Sequence, residues 1–254
     1  MIQAIDQLWR IFATAMAFVI FGFFGVLFKF LLKPSVTSNS SDALNSQLKA
    51  RRFVGGSWSY FILFLRFMGV ITVEYRGFER LGRPGQLILA NHPSLLDVVF
   101  ILSKVRESNC IVKKDLFDNP SMSPALNACG FLANDESLEL VEKCDDVLRS
   151  GQSLLIFPEG TRTGLDGKIS FNRGAVTIGL RSASVITPIV IKVNPPTLKK
   201  GQAWYKVPKK KSHYEFIVGD DIAPQALLAE KPLPIAARLL NQKLQNYFQE
   251  ETTK

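Results

Sequence analysis

Two short apolar runs, each followed by a polar stretch that forms a loop, constrain the fold of this chain most. Residues 86–90 and 153–157 have the length and composition of buried strands. Helical spacing predicts helices over residues 137–149, 174–180 and 235–248, and apolar patterns predict strands over 185–193 and 214–218. Because strands alternate with helices, we expect an α/β fold with a mostly parallel or mixed central sheet flanked by helices.

The first loop carries a histidine and an aspartate five positions apart, His92 and Asp97. Ser94 is predicted to cap the following helix, so Asp97 falls in its first turns. A carboxylate there can accept a hydrogen bond from the imidazole and leave the other ring nitrogen as a base. His213 is the only other histidine in the chain. The alternative is a loop histidine beside an aspartate that only favours the helix N-terminus.

The second loop, residues 158–162, reads Pro-Glu-Gly-Thr-Arg. In open α/β sheets, ligands bind at the carboxyl ends of the strands, so both loops are expected on one rim. Gly160 would let backbone N–H groups approach an anion or an oxyanion. Arg162 offers a planar, two-pronged donor for a phosphate. A turn with an Arg–Glu pair on the surface is the alternative.

Together, residues 91–97 and 157–162 resemble the motifs of the glycerolipid acyltransferases, the family of the 1-acyl-glycerol-3-phosphate acyltransferases. Residues 171–175 and 185–190 fit the stretches that follow in that family, and the resemblance covers roughly residues 70–220. It departs at residues 130–137, which carry Asp135 and Glu136 near their end, where the family often has an arginine. Lys113 and Lys114 are candidates for a replacement charge, and a solvated lysine pair is the alternative.

The resemblance implies a fatty acyl transfer from acyl-CoA or acyl carrier protein to a lysophospholipid, most simply 1-acyl-glycerol-3-phosphate. It implies that His92 is the base, that Asp97 orients it, and that no metal or cofactor takes part. The implied substrate-binding residues are Glu159, Gly160, Thr161, Arg162 and Arg173. One alternative is O-acylation of a different lyso-lipid, an amino-acid lipid or an unusual glycolipid. Another is a catalytically silent protein that binds membranes.

The N-terminal part of the chain is strongly apolar. Residues 11–28 carry no charge and would span about 27 Å as a helix, close to the thickness of a hydrocarbon core. We expect a membrane anchor helix over residues 1–33, because the alternative, a signal peptide, lacks an evident cleavage site. Residues 34–72 would hold a linker and a second apolar helix, which is either interfacial or packed on the remaining domain. Residues 73–254 would form the acyltransferase domain.

The charge distribution favours a membrane surface. Residues 33–52 carry Lys33, Lys49, Arg51 and Arg52 against one acid, which predicts a cytoplasmic location for this loop. We therefore expect a protein of the cytoplasmic (inner) membrane, with its catalytic domain facing the cytoplasm and a membrane lipid as acceptor.

The net charge of +9 includes a second basic cluster, residues 199–211, in which Trp204 and Tyr205 lie between lysines. Such a stretch suits an anionic membrane, with an acidic carrier protein or a merely solvated loop as alternatives. Without a nucleic-acid motif, we expect no nucleic-acid partner. Three cysteines without a C-x-x-C pair argue against a zinc site and a disulfide framework.

Overall fold

The computed structural model describes residues 2–32, 40–135 and 137–253. Its helices and strands follow in the order α1 (Ile2–Leu31), α2 (Ser40–Phe67), β1 (Ile71–Arg76), β2 (Gln86–Ala90), α3 (Asp97–Lys104), β3 (Asn109–Lys113), α4 (Ser123–Cys129), β4 (Leu132–Asn134), α5 (Leu138–Arg149), β5 (Leu154–Ile156), α6 (Arg173–Ser182), β6 (Val185–Asn194), β7 (Ser212–Val218), α7 (Pro224–Glu230) and α8 (Leu233–Thr253).

The strands form one mixed sheet in the order β1-β7-β6-β2-β5-β3-β4. The five strands from β6 to β4 are parallel to one another. β7 is antiparallel to β6, and β1 is parallel to β7. The prediction of a mostly parallel or mixed sheet is confirmed. The carboxyl ends of β2, β5 and β6 therefore lie side by side on one rim.

Two apolar cores, one on each face of the sheet, explain the continuous apolar run of β2. Leu87 and Leu89 pack into a core shared with α5, α6 and α8. Ile88 and Ala90 pack into the opposite core, to which helices α1 to α4 contribute. Since successive side chains of a strand point to opposite faces, a strand covered on both sides is mostly apolar, as β2 is at residues 87–90.

Helix α2 packs on the domain through a stripe at helical spacing. Val54, Trp58, Ile62 and Leu65 are buried along this stripe, whereas Tyr60 on the opposite side is 76% exposed. The predicted second apolar helix thus packs on the core with one face, which is one of the two alternatives for it, and leaves another apolar face uncovered. The division into residues 1–33, 34–72 and 73–254 stays a prediction.

The expectation of a loop over residues 33–52 is wrong for the part that the structure describes, since α2 already begins at Ser40. Residues 33–39, with most of the predicted linker, lie outside the described residues. Arg51 is buried and donates to the carbonyl oxygens of Cys129 at 2.7 Å and Glu107 at 3.0 Å. Burial lowers its pKa to about 10. The charge of Arg51 therefore serves packing inside the protein, and it does not count toward a basic surface loop.

Helix α1 contains the one stretch among the described residues that is long and apolar enough to cross a membrane, by length and composition alone. Its residues 3–31 include a window with a mean hydropathy of 2.4, of which 28% is buried. Ala13, Ala17 and Phe28 pack inward, while Leu8 and Phe23 are exposed. One side of α1 therefore rests on the protein, and its other side presents apolar side chains.

Candidate active site

His92 and Asp97 meet at the carboxyl end of β2. His92 follows the strand by two residues, and Asp97 is the first residue of α3. The Nδ1 atom of His92 lies 2.9 Å from Oδ2 of Asp97. The Asp97 side chain is fully buried, whereas that of His92 is 18% exposed. Because Nδ1 faces the carboxylate, Nε2 is the nitrogen left to exchange a proton with a substrate.

Hydrogen bonds and burial together determine the ionisation of the Asp97 carboxyl group. The backbone N–H of Ser94 donates to Oδ2 at 2.7 Å, so this oxygen receives two hydrogen bonds. Burial raises the pKa of Asp97, and the hydrogen bond to His92 is the largest influence in the opposite direction. The charge of Arg162 also acts to lower this pKa. The carboxylate is thus shielded from water and directed at the imidazole.

The prediction that Ser94 caps α3 is wrong, because Leu96 precedes the helix and no side chain caps it. The Ser94 hydroxyl lies 2.8 Å from the buried hydroxyl of Tyr214 on β7. Burial raises the pKa of Tyr214 well above its ordinary value. Tyr214 is not distinguishable as a site residue from the sequence, since its only signal is the alternating pattern of a strand. Its contact with Ser94 supports the turn that carries the N–H donor to Asp97.

The second loop holds the first one in place. The Oε1 atom of Glu159 accepts the backbone N–H of His92 at 2.8 Å and the hydroxyl of Thr163 at 3.0 Å. The backbone N–H of Thr163 in turn donates to the carbonyl oxygen of His92 at 2.7 Å. The Phe157 ring stacks on the imidazole with 4.3 Å between centroids. The two motifs lie on one rim, as expected, and are cross-linked there through backbone and side chains.

Gly160 closes the turn after β5. Its φ of +66° is in the left-handed region, where glycine is favoured. Its own N–H donates to the carbonyl oxygen of Phe157 at 3.0 Å, so that donor is already used. Thr161, which follows, is exposed. The N–H of Gly160 is therefore engaged within the turn.

Arg162 lies at the same rim but is partly engaged. Its Nη1 atom donates to the carbonyl oxygens of Leu198 at 2.9 Å and Lys199 at 3.2 Å. Arg173 is exposed and begins α6. The residue before it, Asn172, donates its backbone N–H to Pro158 at 2.8 Å, which places the start of α6 beside the second loop. The structure thus brings every predicted site residue to one end of the sheet.

The acidic stretch after β4 has a local role. Asp135 accepts hydrogen bonds from the backbone N–H of Ser137 at 3.2 Å and from its hydroxyl at 2.7 Å. These bonds lower the pKa of Asp135. Ser137 itself caps α5 by accepting from the N–H of Leu140. Glu136 lies outside the described residues. Asp135 is accordingly engaged with Ser137, the residue that caps α5, which gives little support to a site for a cationic head group.

Lys113 and Lys114, the candidate replacement charges, lie at the end of β3. Lys113 forms an ion pair with Asp115. The charge of Lys114 contributes to the lowered pKa of Asp135. Both lysines therefore act on neighbouring carboxylates at the surface.

The described residues contain no cluster of histidine, cysteine and acidic side chains that could hold a metal ion. Cys110, Cys129 and Cys144 are buried and free. Burial raises the pKa of each thiol to about 12, so they remain protonated and inert.

A separate apolar cavity of about 410 Å³ lies between helices α1, α2 and α4. Its walls include Phe24, Trp58, Phe61 and Met122, and its composition suits an alkyl chain. The residues of the two rim loops do not line it.

The chain is similar to known acyltransferases in sequence and in fold. Residues 72–192 match the family model described as Acyltransferase. A 1-acyl-sn-glycerol-3-phosphate acyltransferase of Pseudomonas aeruginosa is 28% identical over 206 residues, which cover 78% of this chain and 76% of the relative. An enzyme of the same name from Helicobacter pylori is 33% identical over 113 residues, covering 42% of this chain and 48% of that protein.

Among solved structures, the fold is similar to that of the 1-acyl-sn-glycerophosphate acyltransferase of Thermotoga maritima. The TM-score is 0.61 at 18% identity, and the match covers 96% of this chain and 97% of the other. The folds correspond over nearly their whole lengths, and the matched domain contains both rim loops. Residues 72–192 therefore match an acyltransferase domain, and the chain resembles the 1-acyl-sn-glycerol-3-phosphate acyltransferases in sequence and in fold.

Proposed function

We propose that this protein transfers a fatty acyl group from an acyl thioester to 1-acyl-glycerol-3-phosphate and so forms phosphatidic acid. The observation that carries the proposal is the 2.9 Å contact between His92 Nδ1 and Asp97 Oδ2, on the same rim as the Glu159–Arg162 loop. The names of the relatives and the family of the domain support the reaction and its acceptor.

In the proposed reaction, Nε2 of His92 takes the proton of the acceptor hydroxyl while Asp97 stabilises the imidazolium that results. The hydroxyl oxygen forms a bond to the thioester carbonyl carbon. The carbon–sulfur bond then breaks, and the thiolate leaves and recovers the proton from His92. Base catalysis of this kind contributes about a hundred- to ten-thousandfold. A backbone N–H beyond Gly160 would stabilise the oxyanion of the intermediate.

The remaining site residues receive distinct roles in this proposal. The guanidinium N–H groups of Arg162 that do not bind the backbone would contact the acceptor phosphate, with Thr161 and Arg173 at the edge of this site. Glu159 would act on the base through the backbone of His92, since its Oε1 already accepts two hydrogen bonds from the protein. Glu159 is therefore proposed as a positioning residue.

The proposal also includes the acyl donor and the membrane at which the protein acts. The donor is an acyl-CoA or an acyl carrier protein, because either supplies a thiolate leaving group. The acceptor is a membrane lipid, and the apolar exposed side of α1 suits attachment to the cytoplasmic membrane. We propose that the catalytic domain faces the cytoplasm, where both donors would reach it.

The test is an assay of phosphatidic acid formation from lysophosphatidic acid, with acyl-CoA and acyl carrier protein as separate donors. His92→Ala should abolish product with both donors. His213→Ala is a matched control, because this second histidine is exposed on β7 and binds Thr72 Oγ1 at 2.8 Å. The control should retain activity. Product formation by His92→Ala at the rate of the unchanged protein would refute the assignment.

A further inference from the structure

The segment between β6 and β7, residues 195–211, contains six lysines and no acidic residue. We call this segment the lysine-rich loop. Trp204 is 44% exposed and Tyr205 is 55% exposed at its centre. The side chains of Lys206 and of residues 209–211 are exposed as well. The catalytic proposal does not use these charges or these rings.

The C-terminal end of the lysine-rich loop is hydrogen-bonded to α1. Arg10 of α1 is 1% exposed, and its Nη2 atom donates to the carbonyl oxygen of Lys209 at 2.6 Å. Gln7 of α1 donates to the carbonyl oxygen of Val207 at 2.8 Å. The Trp204 ring lies 6.0 Å from that of Phe18. The lysines of residues 209–211 are therefore held next to the N-terminal half of the most apolar helix.

The other end of the loop is fastened to the active-site rim. Leu198 accepts hydrogen bonds from Arg162 at 2.9 Å and from the backbone N–H of Leu95 at 3.2 Å. Leu95 lies between His92 and Asp97 in the first loop. The same segment thus connects the apolar helix to both motifs of the site.

We propose that the lysine-rich loop binds the surface of a lipid bilayer that contains anionic lipids and holds the active-site rim against it. The inference rests on the proposed function. Exposed tryptophan and tyrosine suit the interface between head groups and acyl chains. Lysines next to them are attracted to anionic head groups. The exposed side chains of Leu8, Phe12 and Phe18 continue the apolar surface along α1.

An acidic carrier protein is the other partner with complementary charge. Trp204 and Tyr205 adjoin the exposed apolar side of α1. This favours the bilayer, because a carrier protein recognised by charge needs no adjoining apolar helix. The lysines and the rings of Trp204 and Tyr205 are exposed on the same loop, so one membrane surface can contact both.

The experiment uses the full chain in lipid nanodiscs, with Trp204 as the only tryptophan after Trp9→Phe and Trp58→Phe. Nanodiscs contain brominated phosphatidylcholine with or without phosphatidylglycerol, and bromine quenches only rings that reach the lipid. We expect strong quenching of Trp204 in anionic nanodiscs and much weaker quenching in neutral ones. Absence of quenching in anionic nanodiscs would overturn the proposal.

The lysines are tested in the same protein by Lys209→Gln, Lys210→Gln and Lys211→Gln together. Since each lysine near an anionic surface favours binding about fivefold, the three changes should lower the docked-to-undocked ratio of the loop about a hundredfold. The matched control is Lys231→Gln, Arg238→Gln and Lys243→Gln, three exposed cations in the C-terminal segment that packs on the opposite face of the sheet. In the control, Trp204 should be quenched as strongly as in the parent. Equal quenching of Trp204 in the parent and in the loop variant would overturn the role of the lysines.

Two further readouts separate the alternatives. Acyl transfer to a short-chain, monomeric acceptor without a bilayer should be unchanged in the loop-lysine variant, because these lysines do not contact the reacting atoms. If the parent protein lacks this activity, the proposed function fails while the quenching result still stands. If the loop variant raises the KM for acyl carrier protein and leaves quenching unchanged, the loop is a carrier-protein surface and the bilayer proposal is wrong.

Discussion

Glu159 accepts the backbone N–H of His92 at 2.8 Å, so the second motif of the site positions the first one through its main chain. The same oxygen accepts the hydroxyl of Thr163, whose backbone N–H returns to the carbonyl oxygen of His92. His92, the proposed base, is thus held by a closed set of hydrogen bonds between two loops that are far apart in sequence. Burial raises the pKa of Glu159, as expected for a carboxyl group used inside the protein.

This arrangement predicts different results for two changes at Glu159. Glu159→Gln keeps an oxygen that can accept both hydrogen bonds, and it should retain most of kcat. Glu159→Ala leaves two donors unsatisfied, which costs about 1–3 kcal/mol of stability and should lower kcat about tenfold or more. Steady-state kinetics and thermal unfolding of both variants provide the check. Equal loss of activity in the two variants would show that the negative charge of Glu159 is required, and that its hydrogen bonds to His92 and Thr163 are not sufficient.

Asp97→Asn separates activity from stability. Because burial raises the folded-state pKa of Asp97 above its unfolded value, its charged form destabilises the fold above that pKa. The fold gains stability as pH falls through the folded-state pKa toward the unfolded one. Asp97→Asn removes this penalty, so its melting temperature at neutral pH should equal or exceed that of the parent, and the difference should shrink toward acidic pH.

The same variant should lose about a hundredfold or more in kcat, because the amide cannot stabilise a protonated His92. Thermal melts from neutral to acidic pH, together with rate measurements, test both halves. A variant that melts well below the parent at neutral pH would contradict the dominant effect of burial on Asp97.

Arg162→Lys tests the contact with the acceptor phosphate. An ammonium group cannot reproduce a two-pronged contact, so the KM for lysophosphatidic acid should rise at least several-fold while the donor KM changes little. The substitution also disturbs the bonds to Leu198 and Lys199, which hold the lysine-rich loop. Limited proteolysis at the loop lysines reports that second effect. Unchanged acceptor kinetics in Arg162→Lys would refute the phosphate role, whatever happens at the loop.

Much of the fold and the common rim of the two candidate-site loops could be predicted from the sequence because the signals are local. β2 and β5 are short continuous apolar runs that end in polar loops, and parallel strands place those ends on one rim. The predicted strand over residues 185–193 appears as Val185–Asn194, and the predicted C-terminal helix extends further at both ends as Leu233–Thr253. Sequence periodicity locates such elements better than it locates their ends.

The contacts that position the site could not be predicted, because they join residues far apart in the chain. Ser94 pairs with Tyr214 and not with the end of α3, since its hydroxyl points into the core. Arg10 is buried against the lysine-rich loop and donates to Lys209, 199 positions away. Composition and spacing describe a residue's neighbours in the chain, whereas these partners are fixed by the packing of β7 and α1 on the sheet.

The measurement that tests the central claim most directly is a double-mutant cycle on kcat/KM for His92→Ala and Asp97→Ala. If Asp97 acts through His92, the double variant should be no slower than His92→Ala alone, because groups that act as a unit are not additive. Each single change should cost about a hundredfold or more. Additive losses, or a His92→Ala variant with the kcat/KM of the parent, would contradict the account of a base oriented by its neighbouring carboxylate.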